Sequence, residues 1–362
     1  MKPRSEDIKQ TRVLLAIGGL MHDLGKVILR SMDEKEKKEL FPQLGKEEKY
    51  KDTFSYAHAY SLWEFIRKHS GRLELKTNPL DKPIILTSSF HHKPEGVERF
   101  EELRDYQLFA YIYQKADRLS SSERSKKERK IETPFLRSIF QDIKFQEEKG
   151  FQDTKDEEKE FLYMLEPLSM DEEIIFPKSV EKKEPLSNEF ENPVKQYKEH
   201  WEKFLIEFKN ILKNFVSYEK LLLHLYHLFY RYFWCVPAST FDPEREERHY
   251  PDISLFDHLR TTSALATSFY TEYNLEKLKN GKENELKLIF IRGDLTGIQK
   301  YLYHLKNIEK VTKRLRGKSF FLGMLPEVVA RALLNKFNYP FTNIIFSGGG
   351  NFEVVIGYEE DI

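Results

Sequence analysis

The chain has 362 residues, enough for two or three domains, and its 59 basic and 59 acidic residues cancel, so any attraction for a polyanion must be local. A third of the residues are charged and the apolar run from Leu14 to Met21 is too short to cross a bilayer, which excludes a membrane span and a cleavable leader and leads us to expect a cytoplasmic protein. The single cysteine, Cys235, excludes an internal disulfide and a cysteine zinc site.

Apolar residues at helical spacing predict helices over Ile8 to Leu20, Phe54 to Ile66 and Leu103 to Leu119. Beyond Ser120-Ser121-Ser122 the texture changes: Arg124 to Lys130 is basic, Glu147 to Glu173 is rich in acidic residues, and Pro167, Pro177, Pro185 and Pro193 punctuate the stretch. Residues 126–195 therefore read as a charged linker or insertion with one short helix. Tyr197 to Trp234 is helical and aromatic; His224 and His227 stand at a ligand spacing there, but no carboxylate matches them, and they read as structural, buried or half-exposed. From Leu286 a strand to Arg292, a helix from Thr296, a second helix from Ser319 to Phe337, and two β-rich segments around Ser347-Gly348-Gly349-Gly350-Asn351 give the order β, α, β, β. The fold class expected is α+β, mostly α. It comprises an all-α bundle over 1–125, the linker 126–195, a helical region 196–285 and a half-sheet over 286–362.

The segment Gly18-Gly19-Leu20-Met21-His22-Asp23-Leu24-Gly25-Lys26 sets an imidazole and a carboxylate side by side at the end of an apolar helix. Both are ligands for divalent cations, and the carboxylate can bridge two. A His–Asp pair alone is a common accident. Here His58 follows on the next helix, His91 and His92 after a further segment, and Asp117 at the end of another helix. Bundles build metal sites in this way, from inward-facing side chains of several helices. The candidate ligands are thus His22, Asp23, His58, His91, His92 and Asp117. Lys26, one helical turn past His22, shares its face and is a candidate for neutralising a phosphate; an ordinary surface lysine is the plain alternative.

In their order and gaps these residues resemble the HD superfamily of metal-dependent phosphohydrolases. The resemblance implies that His22 and Asp23 hold a first ion that Asp117 completes, and that His58, His91 and His92 serve a second. It implies catalytic roles for His22 and Asp23, to which helical spacing adds Lys26 as a candidate, with Mn2+, Ni2+ or Mg2+ as cofactor. Two-metal members carry a further histidine on a helix before the HD pair, and none precedes His22, so one ion or two remain open.

Four further segments resemble one family, the large polymerase-like subunit of type III CRISPR interference complexes. They are Ala116-Asp117-Arg118-Leu119-Ser120-Ser121-Ser122-Glu123-Arg124; Pro251-Asp252-Ile253-Ser254-Leu255-Phe256-Asp257-His258 with Thr261-Thr262; Gly293-Asp294-Leu295-Thr296-Gly297-Ile298-Gln299 with Arg314-Leu315-Arg316-Gly317-Lys318-Ser319-Phe320; and Ser347 to Phe352. The likeness runs from about residue 13 to 358, apart from the acidic stretch. It implies an HD nuclease for single-stranded DNA, then a helical region, then part of a first ferredoxin-like palm domain. Guide RNA, target RNA and the other subunits of the complex are the implied partners. ATP is the implied ligand of the palm, at Gly293, Asp294, Gly297, Ser347, Gly348, Gly349, Gly350 and Asn351. Synthesis of cyclic oligoadenylate in that family needs a Gly-Gly-Asp-Asp turn from a second palm. This sequence has Asn351 at the end of its glycine run and only βαββ of a βαββαβ palm before Ile362, so we expect a truncated or split protein whose partner chain carries the second palm. Two other readings use the same residues: an HD phosphodiesterase or phosphohydrolase for a small nucleotide, cyclic or not, and a non-catalytic scaffold or nucleotide sensor.

Overall fold

A computed structural model describes residues 5–40, 53–72, 78–122, 134–142, 159–181, 190, 192–239, 251–304 and 310–360. Helix α1, Ser5–Met21, is apolar on every side from Val13 onward, and accordingly it runs through the middle of the molecule. A tight turn through His22 and Asp23 leads into α2, Leu24–Arg30. Then come α3, Glu34–Leu40; α4, Ala57–Arg72; α5, Pro83–Leu86, continued by a 3-10 turn over Thr87–Phe90; and α6, Gln107–Ser120. Gly25 lets α2 cross the start of α4, since a Cβ there would lie 1.9 Å from the His58 carbonyl oxygen.

The segment read as a linker is partly folded. Strands β1, Lys159–Leu162, and β2, Lys178–Glu181, pair antiparallel, with the short helix α7, Glu172–Ile175, between them. Leu162, Leu165 and Val180 are buried in the main core, so this part of the linker or insertion is fixed to the body of the fold. The basic run 124–130 and residues 147–158 of the acidic stretch lie outside the described residues.

Helices α8, Pro193–Lys213, and α9, Tyr218–Phe233, precede α10, Leu255–Phe269, and α11, Glu272–Lys279. His224 and His227 are exposed on α9, rather than buried or half-exposed, and belong to no metal-capable group among the described residues. Ser254 caps α10 by accepting from the Asp257 amide at 3.0 Å. This helix is the surprise of the fold. It packs between α1 and α6, inside the bundle expected of residues 1–125, and one hydrophobic core runs from Val13 to Phe269. Small residues make the approach possible: a Cβ on Gly19 would sit 2.6 Å from the Ser263 Cα, and Ser263 Oγ donates to the Ala16 carbonyl at 3.0 Å.

The remaining elements are β3, Leu288–Asp294; α12, Ile298–Tyr303; α13, Val311–Lys336; β4, Ile344–Gly348; and β5, Asn351–Gly357. The antiparallel order β3-β5-β4 is that of a split βαββ unit. Helix α13 starts eight residues before the expected Ser319, because Lys313, Arg314, Arg316 and Lys318 are good helix formers. These basic residues occupy the first turns of the helix, and Lys318 Nζ donates to the Tyr301 and His304 carbonyls at the end of α12. One sheet face meets α13 through Ala330, Leu334, Val354 and Ile356. The other meets α10, where Asn343 Nδ2 bridges the Ala264 and Val355 carbonyls at 3.2 and 2.8 Å. Arg12 ties α1 to the same unit and to the end of α10, donating to the Phe337 and Tyr270 carbonyls at 2.9 and 3.1 Å while its guanidinium lies 3.7 Å over the Tyr339 ring. Among the described residues no helix is long and apolar enough to cross a membrane.

Candidate metal centre

All six predicted ligands converge, and a seventh joins them. His22 and Asp23 come from the α1–α2 turn, His58 from the first turn of α4, His91 and His92 from the end of the 3-10 turn, Asp117 from the last turn of α6, and His258 from the first turn of α10. They form two groups, Asp23 with His58, His91 and His92, and Asp23 with His22, Asp117 and His258. Asp23 is common to both. Its Oδ1 faces His58 Nε2 at 3.3 Å and His91 Nε2 at 3.6 Å, while its Oδ2 faces His258 Nε2 at 3.1 Å and His22 Nε2 at 3.5 Å. Asp117 Oδ1 lies 3.1 Å from His258 Nε2 and 3.6 Å from His22 Nε2.

Two of the imidazoles are oriented by backbone. His22 Nδ1 donates to the Gly19 carbonyl and His91 Nδ1 to the Ser88 carbonyl, each at 2.7 Å. A carbonyl only accepts, so the proton sits on Nδ1 and the Nε2 lone pair is left to point inward, the arrangement of metal-bound histidines. Two pairs of Nε2 atoms then face one another, His22 with His258 at 3.2 Å and His58 with His92 at 2.9 Å. Asp23 Oδ1 and His91 Nε2 are buried without a hydrogen-bond partner. Buried lone pairs aimed at one point are costly unless a cation stands among them. Two donors about 2.1 Å from one ion, at octahedral or tetrahedral angles, lie about 3.0–3.4 Å apart, close to these separations. The residues fit divalent ions.

Burial by itself would raise the Asp23 carboxyl, but Lys26, His22, His258 and His91 outweigh it and hold the group well below the usual carboxylate range. Asp117 is likewise raised by burial and brought well below that range by His22, His258 and His91. Burial lowers His58 to about 3 and takes His92 well below the ordinary imidazole value, helped by His91 and His58. At neutral pH the centre therefore offers two carboxylates and, in His58 and His92, neutral imidazoles, the forms that bind a cation.

Lys26 does not stand free on the His22 face. Its ammonium is paired with Asp23 Oδ2 and donates to the Ala238 carbonyl at 3.1 Å. The sequence reading missed His258 as a ligand, although the segment Pro251 to His258 had stood out. The signal available was the missing upstream histidine, which left room for a donor from elsewhere in the chain.

The predicted nucleotide residues gather at one end of the half-sheet. Asp294 pairs with Asn351 and Gly293 with Phe352 across β3 and β5, and Leu295 N donates to the Gly350 carbonyl at 2.9 Å. Gly349 and Gly350 make the β4–β5 turn with φ of 60° and 89°, which side-chain-bearing residues resist. Asp294, Ser347 and Gly349 are exposed there, with Gly297 close by in sequence. Gly293 has a packing reason of its own, since a Cβ would run into the Phe352 ring at 2.1 Å.

Comparison with known proteins follows the same division. Residues 287–362 match the family model for Csm1 subunit domain B. Over 96% of its length the chain is 31% identical to the CRISPR system single-strand-specific deoxyribonuclease Cas10/Csm1 (subtype III-A) of Methanocaldococcus jannaschii. Over 94% it is 24% identical to the protein of that name from Thermococcus onnurineus. It spans only 41% and 38% of their respective lengths. The crystal structure of Csm1 from T. onnurineus superposes with a TM-score of 0.62 at 20% identity, covering 97% of this chain and 40% of that one. A Csm1–Csm4 cassette in complex with pppApA gives 0.62 at 19%, with the same coverage. These structures speak for the α+β, mostly helical fold.

Proposed function

We propose that this chain, a relative of the Cas10/Csm1 proteins of type III-A CRISPR systems, hydrolyses phosphodiester bonds of single-stranded DNA at the centre built around Asp23. The observation that carries the reading is the convergence of His22, Asp23, His58, His91, His92, Asp117 and His258 into two ligand groups that share one carboxylate. Divalent ions held by these residues would supply a hydroxide nucleophile near neutral pH and positive charge for the non-bridging phosphate oxygens. Asp23, the carboxylate common to both groups, would hold an ion on either side, and the Lys26 ammonium against its Oδ2 limits the repulsion with Asp117. The three-imidazole group suits Ni2+ or a similar borderline ion, and the two-carboxylate group suits Mn2+ better than the first does. His58 is 13% exposed and His92 half-buried, whereas His22 and His91 are sealed, so a strand reaches the centre from the His58–His92 side.

The turn at Ser347–Asn351, together with Gly293, Asp294 and Gly297, presents backbone amides and small polar groups suited to ATP phosphates. With Asn351 where a metal-binding carboxylate pair would be needed, a second palm must supply those carboxylates for any oligoadenylate synthesis. The other subunits of the complex, guide RNA and target RNA are the remaining partners, in a cytoplasmic setting.

The test is cleavage of single-stranded DNA, single-stranded RNA and a cyclic dinucleotide by the purified chain with Mn2+, Ni2+ or Mg2+. Metal-dependent cleavage of the DNA that disappears in a folded Asp23→Ala protein supports the reading. Cleavage of the cyclic dinucleotide alone supports the small-nucleotide phosphodiesterase, and cleavage of nothing supports the scaffold.

A further inference from the structure

The buried imidazoles of the centre solve their orientation differently. His22 and His91 follow the last turns of their helical segments, and each Nδ1 reaches a carbonyl three residues back. His258 cannot do this. It is the fourth residue of α10, its own amide already bonds the Ser254 carbonyl, and carbonyls within a helix are taken by the backbone. Its Nδ1 needs a partner from another helix, and Ser120 supplies one. Ser120 Oγ lies 3.0 Å from His258 Nδ1 and donates its own proton to the His258 carbonyl at 3.3 Å, which leaves a lone pair for Nδ1–H. Both residues are buried, His258 at 1% and Ser120 at 4% exposure. Ser120 also stands one turn beyond Asp117 on α6, so a single helical turn delivers one ligand and the orienting group of another. On the other side of Asp23, the Nδ1 atoms of His58 and His92 have no hydrogen-bond partner among the described residues.

We infer that Ser120 is a positioning residue that fixes His258 as a metal ligand, and that it thereby makes the His22/Asp117/His258 half of the centre the tighter of two ion sites. The inference rests on the metal-dependent reading above. A hydroxyl suits the task better than a carbonyl would. It accepts Nδ1–H when Nε2 binds an ion, and it can turn to donate when Nε2–H instead bonds Asp23 and Asp117 in the ion-free protein.

The experiment is calorimetric titration of the metal-free full chain with Mn2+, as wild type, Ser120→Ala and Ser120→Thr, with the melting temperature of each metal-free protein measured alongside. The expected result is two binding steps in the wild type. Ser120→Ala should weaken the tighter step by about 10- to 100-fold, the usual effect of losing a ligand's orienting partner, and leave the weaker step alone. Ser120→Thr, which keeps the hydroxyl, should restore it. Two unchanged steps in Ser120→Ala overturn the inference by itself. So does a parallel weakening of both steps with a lower metal-free melting temperature, which marks a packing role. A wild type that binds no ion overturns this inference and the metal-dependent reading together.

Discussion

Replacing His258 by Ala separates a sequence-level account of the metal centre from the structural one. Sequence order places His258 in a helical region remote from the HD motif, and on that account its loss leaves metal binding untouched. In the structure its Nε2 is 3.1 Å from both Asp23 and Asp117, and its removal takes one of four donors from the second ligand group. Losing a mere orienting partner costs 10- to 100-fold in affinity, so losing the ligand should cost at least about 100-fold, or about 2.7 kcal/mol. At a free Mn2+ concentration about 100 times the wild-type Kd, binding stabilises the wild type by about 2.7 kcal/mol and the variant by only about 0.4 kcal/mol. For a chain of this size roughly 2 °C accompanies each kcal/mol, so the Mn2+-induced rise in Tm should fall from about 5 °C to about 1 °C. The ion-free variant will also be less stable, since two buried carboxylates lose their shared imidazole, and the quantity to compare is therefore the metal-induced increment in a thermal melt. His224→Ala, on the exposed face of α9, is the control. An undiminished increment in His258→Ala would refute the two-group centre.

Three further outcomes are expected. Arg12→Ala removes charged hydrogen bonds to the Phe337 and Tyr270 carbonyls and the stack on Tyr339; it should cost about 3–5 kcal/mol in chemical denaturation and expose α13 to limited proteolysis, and a loss below about 1 kcal/mol would show that the half-sheet is held elsewhere. Burial pushes the Cys235 thiol up to about 12, so at pH 8 it should react with a thiol reagent only as fast as the protein unfolds. The unfolded chain gives up that proton from about pH 9 while the folded one keeps it, so this group lowers stability by about 1.4 kcal/mol per pH unit between about 9 and 12; Cys235→Ala should flatten that part of the alkaline melting curve. Charge removal at Lys313, Arg314 and Arg316 should weaken binding of single-stranded nucleic acid and flatten its salt dependence, each lost phosphate contact lowering the log–log slope by about 0.7, while short oligonucleotides are still cut; an unchanged slope would mark these side chains as solvated surface.

The sequence by itself determined what is local. Adjacent His22 and Asp23 after an apolar helix, His91 beside His92, and Asp117 in the last turn of an amphipathic helix each carry their own spacing, and helical spacing decides which way a side chain faces. Two glycines in succession at 349 and 350 likewise fixed a reversal between strands, because positive φ is nearly reserved to glycine. Tertiary structure alone decided the rest. Nothing in the spacing of His258 tells that α10 inserts between α1 and α6; that follows from a surface of Gly19, Ala16 and Ser263 narrow enough for two helices to meet almost backbone to backbone. The same packing gives His258 its hydroxyl partner from α6. Lys26 shows the converse. Its spacing from His22 was legible, but an ammonium beside a buried carboxylate pairs with it in preference to facing water, so Asp23 and the Ala238 carbonyl took the lysine that the helix period alone would have offered to a phosphate.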